Sequence, residues 1–168
     1  MNRIGVTLAI AALALTLGVA KAADQPKAAT AFDRLKTLVG SWEGKQENGT
    51  TFSMSMRLVS NNTAIEETIN GPHDNQMVTL FTADGDRIAL THYCSMGNQP
   101  RMETSAVNAE TSLFAFDFMG ATNLAHPTDL HMNQLTLRII DPDHISETWV
   151  AVVGGKSTPY TFQYTRMN

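Results

Sequence analysis

Cys94 is the chain's one cysteine, and it follows His92 by two residues in the stretch Thr91 to Met102, THYCSMGNQPRM. A thiol beside an imidazole suggests a nucleophile with its base. On a strand, residues two apart are separated by about 7 Å between Cα atoms, so these side chains meet only if both lean together. No basic cluster or helix start follows to hold a thiolate. The plainer reading is a histidine and a small buried thiol on one strand face. Glu67 and Glu147 form a second candidate set. By strand alternation both face inward with Trp149. Buried carboxyls need partners or raised pKa values, and two together could do acid–base work. A salt bridge to Arg101 or Arg138 near a rim would instead make them structural.

Metal chemistry has weaker support. His92, His126, His131 and His144 are scattered, without an HxH or HExxH spacing or a second cysteine. Met54, Met56, Met132 and His131 could together suit Cu(I), since thioether is a soft donor. Met-x-Met on a strand face is more simply core. No metal site is expected.

These residues are carried by a chain that reads as strands. In TFSMSMRL, Phe52, Met54, Met56 and Leu58 alternate with polar residues, a period of two. SWEGKQE precedes it and TAIEETI follows. MVTLFTADGDRIALTHYC is a hairpin signal centred on Asp84-Gly85, which pairs Phe81 with Ile88, Thr79 with Leu90 and Met77 with His92. RMETSAVN, SLFAFDFM with Phe114, Phe116 and Phe118 on one face, and LTLRII come next. HISETWVAVV and TPYTFQYTR form a last hairpin across Gly154-Gly155. About ten short strands with regular turns predict an all-β, antiparallel, up-and-down barrel, because closure removes exposed sheet edges. Ahead of them, Phe32, Leu35, Leu38 and Val39 recur at helical spacing, with Thr30 as cap and Gly40 as stop. One short helix is expected there.

The first 22 residues read as an export signal. Arg3 supplies the positive start, Ile4 to Ala20 is apolar and uncharged, and Ala20-Lys21-Ala22 fits a cleavage site. Residues 23–29 read as a leader and 30–168 as the barrel domain. Export places the protein in the periplasm or outside the cell, and no membrane span is expected. The net charge is −4, and about −6 after cleavage, which disfavours nucleic acid as a partner. Eight methionines follow Met1, a pliable apolar stock suited to adaptable pockets.

Gly40-Ser41-Trp42 at the helix-to-strand junction, with Arg166 ending the last strand, resembles the calycin superfamily of lipocalins and fatty-acid-binding proteins. There, a Trp at the start of the first strand is covered by a basic residue from the last. The resemblance implies that Trp42 and Arg166 close one end of the barrel, with the helix as plug and a mouth opposite. GNQPRM, ATNLAHP and DPDHISETW look like the exported lipocalin-like proteins of bacteria. The nitrobindin-like barrels are a neighbouring branch and imply a haem- or nitric-oxide-binding alternative, although no haem-ligating histidine carries over onto a position here.

A barrel of this size can hold one small ligand. The expected function is binding of an apolar or amphipathic molecule in a pocket lined by Met54, Met56, Glu67, Phe81, His92, Cys94, Phe116, Glu147 and Trp149. The alternative is a small hydrolase or isomerase using His92 with Glu147 or Cys94. SMGNQP reads as a strand connection in which Gly97 and Asn98 tolerate positive φ and Pro100 sets the exit. The longer segment 119–133 is the candidate lid.

Overall fold

The computed structural model describes residues 27–168; the segment read as an export signal, and the start of the one read as a leader, lie outside the described residues. Ten antiparallel strands close into one barrel. They are β1 (Gly40–Gln46), β2 (Thr51–Val59), β3 (Ala64–Asn70), β4 (Gln76–Asp84) and β5 (Arg87–Tyr93), then β6 (Gln99–Thr104), β7 (Leu113–Thr122), β8 (His131–Asp141), β9 (His144–Val153) and β10 (Lys156–Arg166). Each pairs with its neighbours in sequence, and β1 pairs with β10 to complete the ring. No helix among the described residues is long and apolar enough to cross a membrane.

Alternation sets the inside. Met54, Met56, Ile65, Phe81, Leu90, Phe114, Phe116, Leu137, Trp149 and Tyr164 are all buried, as period-two patterning demands of a barrel interior. The β4–β5 hairpin differs in detail from its sequence reading. Its turn is Gly85-Asp86, so Phe81 pairs with Leu90, Thr79 with His92 and Ala83 with Ile88. Gly85 takes φ +58° at the first turn position, where a type II′ turn calls for glycine. Moving the turn by one residue shifts the pairing by two, and a two-residue shift keeps every side chain on its face.

Helix α1 (Lys27–Lys36) starts inside the segment read as leader, so Thr30 lies within it rather than capping it. Its stripe of Ala31, Phe32 and Leu35, continued by Leu38, is buried in the barrel core, whereas Val39 faces out. The chain leaves the helix by 3₁₀-type bonds, such as Leu38 N–H to the Leu35 carbonyl at 2.9 Å. Gly40 is therefore the first residue of β1 and not the helix stop.

The helix end is closed by two side chains. The Arg166 guanidinium carbon sits 4.1 Å from the Trp42 ring centroid, a cation–π contact. Arg166 also donates to the carbonyls of Thr37, Val39 and Pro142 at 3.0, 2.9 and 2.9 Å. Two of those carbonyls follow the end of α1, where a positive charge complements the helix dipole. The Trp42 indole N–H donates to the Leu38 carbonyl at 3.0 Å. Gly40 makes room for this arrangement. A Cβ there would lie 2.6 Å from Arg166 Nη1, at a backbone φ of +144°.

Candidate functional site

The strand directions put five connections at the end opposite α1. They are 47–50, the 3₁₀ turn Pro72–Asp74, the turn after Tyr93, residues 123–130 and the Gly154-Gly155 turn. A cavity of about 180 Å³ lies among them. Ile69, Met77, Met132 and Phe162 give it apolar walls, and His92 and Trp149 lie at its inner side. Cys94, Ser95, Met96, Leu130, His131 and Tyr160 form the outer part, with Gln46 and Asn75 also in contact. Among the described residues that line it, none is Lys, Arg, Asp or Glu.

The turn after β5 brings Cys94 here. Gly97 N–H bonds to the Cys94 carbonyl at 2.9 Å, and Cys94 N–H bonds to the Asn98 carbonyl at 3.0 Å. Gly97 takes φ +85°, but Asn98 does not adopt positive φ. Asn98 is buried and ties the turn to the next loop, donating to the Leu130 carbonyl at 2.7 Å. Pro100 follows the connection as the second residue of the next strand. It sits inside β6, beyond the three pairs that β6 makes with β5. Of the segment 119–133, Met119–Thr122 and His131–Asn133 belong to strands, so only residues 123–130 are loop.

Of the nine pocket residues expected from sequence, His92, Cys94 and Trp149 line the cavity. Met54, Met56, Phe81 and Phe116 face inward but pack in the core between the cavity and the helix plug. Glu67 and Glu147 are fully buried and do not line the cavity. They are not paired to arginine either, since Arg101 and Arg138 both face solvent. Ile69, Leu130, Tyr160 and Phe162 belong to the cavity as well. Ile69 shares the parity of Ile65 and Glu67 along β3, a signal that sequence reading could have used.

Under the cavity runs a buried polar belt. His92 Nδ1 is 3.0 Å from the Thr79 hydroxyl, and the His92 ring lies 4.6 Å from that of Trp149. The Trp149 indole N–H donates to Glu147 at 3.0 Å. Glu67 is close enough to Glu147 and Thr79 for both to move its pKa, yet neither of its oxygens makes a hydrogen bond of good geometry. Glu147 Oε1, the Tyr164 hydroxyl and His92 Nε2 are likewise buried without a partner. Tyr164 packs against β1, where a Cβ on Gly44 would strike its ring.

Burial sets the charges. It holds the Glu67 carboxyl well above the usual carboxylate range, with the charge of Glu147 adding to the effect. Glu147 is raised by the same burial, and burial plus the two carboxylates raises the Tyr164 hydroxyl. Burial lowers His92 to about 4, so at neutral pH it is an uncharged imidazole. His92 is not hydrogen-bonded to Cys94 or to Glu147. Its Nδ1 is taken by Thr79, and Trp149 stands between it and Glu147.

Among the described residues no three of His, Cys, Asp and Glu converge as a metal site. The four thioether and imidazole donors considered for Cu(I) are split, with Met54 and Met56 in the core and His131 and Met132 at the mouth.

The fold and site together define a closed antiparallel barrel with a small apolar cavity at one end. No family model matches the chain, and no curated protein does. Among solved structures it is similar to a redesigned beta barrel, at 11% identity and a TM-score of 0.40, over 87% of this chain and 100% of that one.

Proposed function

We propose that this is an exported binding protein that holds one small apolar or amphipathic molecule in the mouth of its barrel. The observation that carries the reading is the placement of the cavity. It lies at the end away from the helix plug, its walls are Met, Phe, Trp and Ile, and only a few polar groups enter it. Concave, mostly apolar sites with a few fixed polar groups are how proteins bind small molecules. At about 180 Å³ the cavity is comparable to an apolar cavity of ~150 Å³ that admits benzene. Met77, Met96 and Met132 can adjust its shape at small cost. The calycin-like closure of Trp42 by Arg166 and the apolar N-terminal run support membership of an exported barrel group.

Native mass spectrometry of protein recovered from the cell envelope tests this reading. The expected species begins at Ala23 and carries a small bound mass that is lost on mild activation. A bare chain that also fails to take up toluene or a hydrophobic dye in solution would overturn it.

A further inference from the structure

The ladder between β7 and β8 stops short of the mouth. It runs from Leu113 opposite Arg138 to Asp117 opposite Gln134, yet β7 continues to Thr122 and β8 begins at His131. No pair joins residues 118–122 to residues 131–133. Each strand keeps its other neighbour there, with Thr122 opposite Gln99 of β6 and His131 opposite Val152 of β9. Each also carries one extra residue near the point of parting, Met119 on β7 and Asn133 on β8, where its register with that neighbour shifts. Such bulges bend a strand and end its pairing.

A groove of about 490 Å³ occupies the gap, and its lining shows that it passes through the wall. Phe118 and Ala121 pair with buried Met102 and Pro100, so they belong to the inner face. His131 and Val152 are a pair next to Met132 and Ala151, which face in, so alternation puts them on the outer face. All four line the one groove, under a roof of Leu124, Ala125 and Pro127. His131 lines the mouth cavity as well, so the two spaces meet at this residue. Its ring is held there by the Asp129 carbonyl, 2.7 Å from Nδ1, and by the Phe118 ring at 5.1 Å between centroids.

We propose that cavity and groove are one binding site, and that its ligand is a neutral molecule longer than the cavity. A ring-sized end sits inside the barrel, and an apolar chain leaves past His131 between β7 and β8. This deepens the binding reading above and rests on it. Size calls for the chain, because the cavity alone holds about one ring and the groove beside it is walled mainly by apolar side chains. Charge is excluded by the linings. Among the described residues around either space none is Lys, Arg, Asp or Glu, so a carboxylate or ammonium held there would lack a counter-charge.

The test titrates toluene, butylbenzene, hexylbenzene and 4-hexylbenzoate against a hydrophobic dye. A buried methylene contributes roughly fourfold in affinity. The expected result is a steady rise along the neutral series, with hexylbenzene at least tenfold tighter than toluene and 4-hexylbenzoate at least tenfold weaker than hexylbenzene. By NMR, protons of the hexyl chain should show contacts to the methyl groups of Ala121 and Val152. Val152→Trp fills the groove without touching the cavity lining. It should hold toluene within twofold of the wild type and lose the gain from the chain. Equal affinities along the series, tighter binding of the carboxylate, no contact with those methyls, or a chain gain that survives Val152→Trp would overturn the inference while toluene binding keeps the binding reading in place. A protein that takes none of the four compounds overturns both. Should Val152→Trp fail to fold, Ala125→Trp in the roof of the groove is read in its place by the same criteria.

Discussion

The two ends of the barrel treat their polar groups in opposite ways. At the helix end, the Trp42 indole has a carbonyl and Arg166 has three, and the guanidinium lies against the ring. At the mouth end, His92 Nε2, Glu147 Oε1 and both oxygens of Glu67 are buried without partners. Saturated bonding is what a joint needs. Unsaturated bonding costs stability, and it persists where a site must stay ready for something else. The difference separates an end whose polar groups are saturated from one whose polar groups are not.

Trp42→Ala should break the comparison hardest. Removing a fully buried indole from a joint should cost about 3 to 5 kcal/mol, read by urea unfolding. Binding at the far cavity should survive in the folded fraction. Loss of binding in still-folded protein would mean the ends are not independent.

Arg166→Lys comes next. Lysine keeps the charge but not the planar fork that reaches three carbonyls, so a loss of about 2 kcal/mol is expected. A melting temperature equal to that of the wild type would show that charge alone closes the ring.

Glu67→Gln should act in the opposite direction. The folded protein holds Glu67 protonated to higher pH than the unfolded chain does, where its pKa is near 4.5. That contribution is fully present below 4.5 and is lost as pH rises through the raised folded value. His92 works the other way. Its folded pKa of about 4 lies below the 6.5 of the unfolded chain, so its contribution is present above 6.5 and lost as pH falls toward 4. The wild type should therefore weaken on both sides of mildly acidic pH. Glu67→Gln should flatten the alkaline side and gain about 1 to 2 kcal/mol at pH 8, in melting curves from pH 4 to 9. A wild-type profile already flat above pH 6 would contradict the buried acid pair.

Cys94→Ala should matter least. The thiol is half-buried at the outer cavity and bonds to nothing that depends on sulfur, so the change should stay within about 0.5 kcal/mol. Ligand affinity should move less than threefold by calorimetry.

Sequence carried the fold well because alternation is a local signal. Residues from Met54 to Tyr164 face inward as their parity dictates, and even the misplaced β4–β5 turn kept its faces because the slip was two residues. The closure of Trp42 by Arg166 was expected from the calycin resemblance rather than from periodicity, and the contact is present. Depth along the barrel was not. Met54, Phe81 and Phe116 have the same parity as His92, but they sit nearer the plug, and period two says nothing about that axis. Leu130 reaches the cavity from an aperiodic loop, which no pattern announces. The helix start was missed because Lys27–Ala29 offers no cap and no apolar stripe of its own.

The pairing of Trp42 with Arg166 also governs how the chain assembles. Every other strand pair joins neighbours, but this one brings together positions 124 residues apart. Closing so long a loop costs more entropy than closing any hairpin, so the β1–β10 seam should form last. Until it does, the molecule is an open ribbon with two bare edges, the form in which such a sheet is most prone to join a second copy of itself. The chain's two tryptophans stand on either side of that event. Trp149 sits within the β8–β9–β10 meander and Trp42 on the seam. Their fluorescence can therefore separate the folding of the sheet from the sealing of the cylinder.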